Sequence, residues 1–130
     1  MEKLDKLDLN HNKIEKLVDY GFEGLPKLTS LSLDYNKISL VEPKAFSGLD
    51  GECWTWNIID IDPLSLSCTA QLQTLSMTRN KMSSVPGRAL RPLHQLITLH
   101  LNDNNITRLN HDTFYQFGEH IQNLWLQNNR

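Results

Sequence analysis

Cysteine is scarce in this chain: only Cys53 and Cys68 occur, and both fall in the same short stretch. Two thiols without nearby paired histidines do not make a zinc site. An oxidising compartment would permit a Cys53–Cys68 bridge, but sequence does not assure their contact, and two free thiols is the default reading. Long apolar runs are also missing. Nothing approaches the roughly eighteen residues of a membrane-spanning helix, and Met1-Glu2-Lys3-Leu4 is no signal peptide. Charge of one sign is not concentrated either. Thirteen basic and 15 acidic residues give a net charge of −2, with the basic residues scattered, which argues against a nucleic-acid or membrane surface. Signatures of chemistry are absent: no glycine-rich phosphate loop, no HExxH, no paired carboxylates. His11, His94, His100, His111 and His120 have no Ser or Cys nucleophile at a recognisable spacing. No catalytic residue, cofactor or metal ligand is expected, so the chain does not read as an enzyme.

What the chain does contain is one phrase, repeated: Leu-x-x-Leu-x-Leu-x-x-Asn-x-Ile. It is clearest at Leu96, Leu99, Leu101, Asn104 and Ile106. The same spacing occurs at Leu4, Leu7, Leu9, Asn12, Ile14 and at Leu28, Leu31, Leu33, Asn36, Ile38. It returns at Leu72, Leu75, Met77, Asn80, Met82 and opens again at Ile121, Leu124, Leu126, Asn129. Five matches in register are very unlikely by chance. The Leu-x-Leu alternation is the period-two pattern of a short strand with one buried face. Stacked coils would place such strands side by side as a parallel sheet. Each Asn falls where the chain leaves the strand, and its amide can both donate and accept. A column of Asn12, Asn36, Asn80, Asn104 and Asn129 can therefore satisfy backbone groups between coils, which Asp could not do in the same way.

The repeats run 4–27, 28–51, 72–95 and 96–120, with a partial one at 121–130, all within one domain. Convex-side inward positions are Leu17, Phe22, Leu25; then Val41, Phe46, Leu49; then Val85, Leu90, Leu93; then Leu109, Phe114, Phe117. Solenoids need polar terminal caps. Neither end shows one, so the sequence reads as an internal fragment of a longer protein.

Residues 52–71 break the pattern, and two readings stay open. As a degenerate repeat, Trp54 and Trp56 replace the strand leucines, Ile59 replaces Asn, Ile61 keeps its place and Leu64 falls where Leu17 does. Two indoles in slots sized for leucine would cost about 1–3 kcal/mol in overpacking. As an insertion, removing 52–71 joins Phe46-Ser-Gly-Leu49-Asp-Gly to Leu72-Gln-Thr-Leu75 in unbroken 24-residue register. A translated intron fits that reading. Gly51-Glu52-Cys53 can be encoded with a splice-donor sequence, 63–68 can be written almost wholly in pyrimidines, and Thr69-Ala70 can supply an acceptor.

The phrase resembles the leucine-rich repeat over all of the chain except roughly residues 50–71. The resemblance implies an α/β leucine-rich-repeat solenoid (horseshoe), with a concave parallel β-sheet and an irregular convex side. A 24-residue unit with Phe on the convex side resembles the extracellular class of these repeats, as in chaoptin, Slit and Toll-type receptors. It implies a protein-binding module of a secreted or cell-surface protein, with adhesion, guidance or receptor roles and another protein as partner. An intracellular scaffold, or a non-catalytic fragment of a larger enzyme or receptor, is the alternative.

Binding in such a solenoid belongs to the concave face. Its central column reads Asp8, Ser32, Ser76, His100, Trp125, and the next reads His11, Tyr35, Arg79, Asp103, Asn128. Aromatics and Arg among small polar residues suit protein recognition, and Trp125 is the most conspicuous anchor. Asn105-Ile106-Thr107 is a glycosylation sequon. Asn105 occupies the slot held by Lys13, Lys37 and Lys81 in other repeats, and should face solvent.

Overall fold

The computed structural model describes residues 1–49, 70–115 and 117–130. In chain order these form β1 (Lys6–Asp8), β2 (Lys16–Leu17), β3 (Ser30–Ser32), β4 (Leu40–Val41), β5 (Thr74–Ser76), a single helical turn α1 (Gly87–Leu90), β6 (Thr98–His100) and β7 (Asn123–Trp125). A 3-10 turn spans Gly118–His120. Five strands build one parallel sheet in the order β1-β3-β5-β6-β7, and β2 pairs with β4 on the opposite side of each coil. Each strand of the large sheet holds one leucine of its phrase between two outward residues, and the next inward residue of the phrase lies just past the strand end. This is a leucine-rich-repeat solenoid with a concave parallel sheet and few helical residues.

Register follows the leucines. Leu7 pairs with Leu31, Leu31 with Leu75, Leu75 with Leu99 and Leu99 with Leu124. Leu31, Leu33, Leu75, Met77, Leu99 and Leu101 are wholly buried, each such side chain stabilising the fold by about 1.5–3 kcal/mol. The edge strands have a neighbour on one side only, so Leu7 is half-buried and Leu124 is 38% exposed. Phe22 and Phe46 stack at 5.7 Å beneath the convex loops, and Phe114 meets Phe117 edge-on. Gly48 turns the chain between Phe46 and Leu49 with φ +90, and a Cβ there would sit 3.1 Å from Glu23 Cγ. Both facts favour glycine.

One convex position departs from expectation. Leu109, aligned with the buried Leu17, is 50% exposed. It faces an open hollow shared with Ile106, Leu126 and Asn129, beside the last described coil.

Between the second and third coils the sheet runs on without a break. β3 has β1 on one side and β5 on the other, with Ser30 opposite Thr74 and Ser32 opposite Ser76. Leu49 and Ala70, at the two sides of the intervening stretch, are both buried. The expectations placed on Trp54, Trp56, Ile59, Ile61, Leu64 and the Cys53–Cys68 bridge lie outside the described residues.

Candidate functional site

The concave face is set by strand alternation: with the middle residue of each strand inward, the first and third point out. The third positions are Asp8, Ser32, Ser76, His100 and Trp125. Trp125 is 45% exposed, and its indole stacks on the His100 ring at 5.6 Å and 8°. Ser32 and Ser76 are half-buried because each hydroxyl donates across a coil boundary, to Asn10 Oδ1 at 2.7 Å and to Asp34 Oδ1 at 2.6 Å.

His11, Tyr35, Arg79, Asp103 and Asn128 lie three residues beyond the strand ends, at the corner of each coil. All five have left-handed backbones, φ 53 to 58. That geometry turns the chain sharply and stacks the five side chains in a row along the lip of the sheet. Their contacts run without a gap. His11 stacks on Tyr35 at 4.4 Å, and Arg79 lies over the Tyr35 ring at 5.0 Å. Arg79 reaches Asp103 at 3.7 Å, and Asn128 Nδ2 donates to Asp103 Oδ1 at 2.9 Å. Hydrogen bonds from Asn128 and then Asn102, with the Arg79 charge adding to them, hold the Asp103 carboxyl below the ordinary aspartate value. The row is a preassembled strip of aromatic and charged groups, with Tyr35 43% exposed.

Behind it stands the asparagine column. Ile14 N–H donates to Asn36 Oδ1, Ile38 to Asn80, Met82 to Asn104 and Ile106 to Asn129, at 3.0–3.2 Å. Each Asn Nδ2 in turn donates to a carbonyl of the preceding coil: Asn36 to Leu9, Asn80 to Leu33, Asn104 to Met77, Asn129 to Leu101. Asn36, Asn80 and Asn104 are buried; Asn129 is half-buried. Asn12 is exposed and donates only within its own coil, to Leu9 and Asn10 carbonyls.

Two concave columns escaped the sequence reading. Lys6, Ser30, Thr74, Thr98 and Asn123 flank the central column on one side, with Asn123 Nδ2 3.3 Å from Thr98 Oγ1. On the other, Asn10 and Asp34 form a second polar ladder. Asn10 Oδ1 accepts from Ser32 Oγ and Asp34 N–H, and Asp34 Oδ1 accepts from Ser76 Oγ and Thr78 N–H. The alternation that gives the central column also gives these, two residues before and after it.

Asn105 is exposed beside buried Asn104, its backbone amide held by the Met82 carbonyl at 2.9 Å. On the convex side Glu42 joins neighbouring coils, bonding Lys16 and accepting from Asp19 N–H. Those two bonds, the Lys16 one foremost, hold its carboxyl below the ordinary glutamate value. Among the described residues no group of His, Cys, Asp or Glu could hold a metal ion. No described helix is long and apolar enough to cross a membrane.

A repeating parallel sheet with an asparagine ladder behind a polar and aromatic concave face defines a class of interaction solenoid. The chain belongs to the leucine-rich repeat family, whose model matches residues 2–51 and 70–130. It is 32% identical over 122 residues to opticin of Mus musculus, an alignment covering 92% of this chain and 36% of that protein. The chain thus spans about a third of the length of this curated relative. Its fold is similar to the crystal structure of the leucine-rich repeat domain of APL1B, with TM-score 0.75 and 25% identity. That match covers 97% of this chain and 31% of the other. Domains of this family are typically non-catalytic modules that bind other proteins.

Proposed function

We propose that this chain is the recognition segment of a secreted or cell-surface protein, and that it binds another protein through its concave face. The observation that carries this reading is the pairing of rigidity with exposed aromatics. Trp125 and Tyr35 are 45% and 43% exposed, yet each is held by a stacked neighbour. Anchors fixed in this way lose little side-chain freedom on binding, and Trp, Tyr and Arg are the residues that dominate such interfaces. The 24-residue unit, the likeness to opticin and the exposed Asn105 sequon support an extracellular setting.

The test is a binding screen of the chain against a panel of extracellular domains, followed by variants. Trp125→Ala and Tyr35→Ala should each weaken a partner found this way by about tenfold or more, the effect of losing an interface anchor. Val18→Ala, 49% exposed on the convex side, should leave it unchanged. A partner that ignores both concave substitutions would overturn the reading. Secretory expression should also attach a glycan at Asn105, removable by an N-glycosidase and lost in Thr107→Ala. A folded, secreted product without it would count against the extracellular setting.

A further inference from the structure

The concave face is not uniform along the solenoid. Over the first two coils its outward positions read Lys6, Asp8, Asn10 and Ser30, Ser32, Asp34, half of them charged. Over the next three coils they read Thr74, Ser76, Thr78, then Thr98, His100, Asn102, then Asn123, Trp125, Gln127. None of these nine is Asp, Glu, Lys or Arg. Sheet register makes the three triplets one patch, with Thr98 between Thr74 and Asn123, and His100 between Ser76 and Trp125. Its polar groups are fixed across coil boundaries. Thr78 Oγ1 donates to Asn102 Oδ1 at 3.0 Å, and Asn123 Nδ2 lies 3.3 Å from Thr98 Oγ1. Charge enters at the rim, with Asp34, which accepts from Ser76 Oγ, and with the Arg79–Asp103 pair.

We propose that this patch binds an uncharged oligosaccharide carried by the partner, an inference that rests on the concave-face reading above. A pyranose has an apolar C–H face and a rim of hydroxyls. Its C–H face packs on an aromatic ring, whose π-face is negative, and the exposed Trp125 indole offers one, braced by His100. Hydroxyls both donate and accept, as do Ser, Thr, Asn and Gln side chains, which fill seven of the nine positions. A charged ligand would be desolvated against groups that carry no opposite charge, which is costly. A peptide would anchor by burying apolar side chains, and no Leu, Ile, Val or Met stands at these nine positions. Neutral ligand and neutral patch therefore match. The patch measures roughly 10 Å across the strands and 13 Å along them. That is small beside the roughly 800 Å² that one partner gives to a protein interface, so it suits a short sugar.

The test is an array of free neutral oligosaccharides and their sulfated counterparts, probed with the unglycosylated full chain, then calorimetric titration of the best neutral binder. Neutral sugars should bind, and the sulfated forms should bind about tenfold more weakly or worse. Trp125→Ala should weaken the neutral sugar by about tenfold or more, and Trp125→Phe, which keeps an aromatic face, should fall between. Thr98→Val removes one hydroxyl at nearly constant shape and should cost roughly threefold to tenfold, the worth of a hydrogen bond. Tyr35→Ala lies outside the patch and should change sugar affinity less than about twofold. No neutral binder, or tighter binding of the sulfated forms, would overturn the ligand. Unchanged affinity in both Trp125→Ala and Thr98→Val, or an equal loss in Tyr35→Ala, would overturn the site. A protein partner that keeps its affinity after enzymatic deglycosylation, yet loses it in Tyr35→Ala, would end this proposal and leave the concave-face reading standing.

Discussion

Two joins in this sheet connect residues at very different sequence distances. From β5 to β6 the partners are 24 residues apart, Leu75 opposite Leu99; from β3 to β5 they are 44 apart, Leu31 opposite Leu75. The bonding is the same in kind. Met77 N–H reaches the His100 carbonyl at 2.9 Å, and Leu33 N–H reaches that of Ser76 at 2.8 Å. Met82 N–H donates to Asn104 as Ile38 N–H donates to Asn80. At the corner the joins differ: Arg79 pairs with Asp103 across one and lies over Tyr35 across the other. The solenoid therefore distinguishes neighbours by coil position and not by chain distance, because each coil bonds only to the coils beside it. The extra twenty residues of the longer join leave the register of the sheet untouched.

If the joins are equivalent, matched substitutions should cost the same. Leu31→Ala and Leu99→Ala, both wholly buried, should each lower stability by about 2–5 kcal/mol through lost transfer energy and cavity formation. Denaturant titration of the two variants checks this, and a markedly cheaper Leu31→Ala would mean the longer join is the looser one.

The ladder gives a finer version. Asn80→Ala and Asn104→Ala should each cost about 1–3 kcal/mol, since each leaves a buried amide and carbonyls without their partner. Asn12→Ala, exposed and bonded only within its coil, should cost within about 0.5 kcal/mol, as should Lys81→Ala. Equal effects at Asn12 and Asn80 would break the claim that the ladder acts between coils.

Deleting residues 52–71 tests the comparison from the other direction. Leu49-Asp50-Gly51-Leu72 then repeats the three-residue step of Leu25-Pro26-Lys27-Leu28 and Leu93-His94-Gln95-Leu96. Shortening the connection should raise stability by about 1–2 kcal/mol through lower closure entropy. Loss of a genuine coil would instead remove two interfaces and lower the melting temperature, and genomic DNA without splice signals there would dispose of an intron.

The smallest effect is electrostatic and separates the two corners. The Asp103 carboxyl should titrate below the ordinary aspartate value in an NMR pH series, and Asn128→Ala should move it up towards that value. Because the folded value is the lower one, the stabilisation is fully present above the unfolded value and is lost as pH falls through the folded one. Tyr35→Leu acts at the other join and should leave the titration where it is.

Leucine spacing alone decided most of this architecture. An inward residue every second position and an Asn at a constant offset specify strand, turn and ladder, since those features depend on residues within one phrase. The same alternation held the two overlooked concave columns, which needed only to be followed two residues further each way. Other properties depend on which coil lies beside which, and no single phrase contains that information. Asn12 and Leu109 occupy the same repeat positions as buried residues, yet both are exposed, because burial of a ladder or convex position needs a coil on the correct side. The uncharged concave patch likewise unites Ser76, His100 and Trp125 from three coils. Tertiary stacking decided these, and above all it set β3 directly against β5, because hydrogen bonding and apolar burial act through space and are indifferent to the length of chain between the partners.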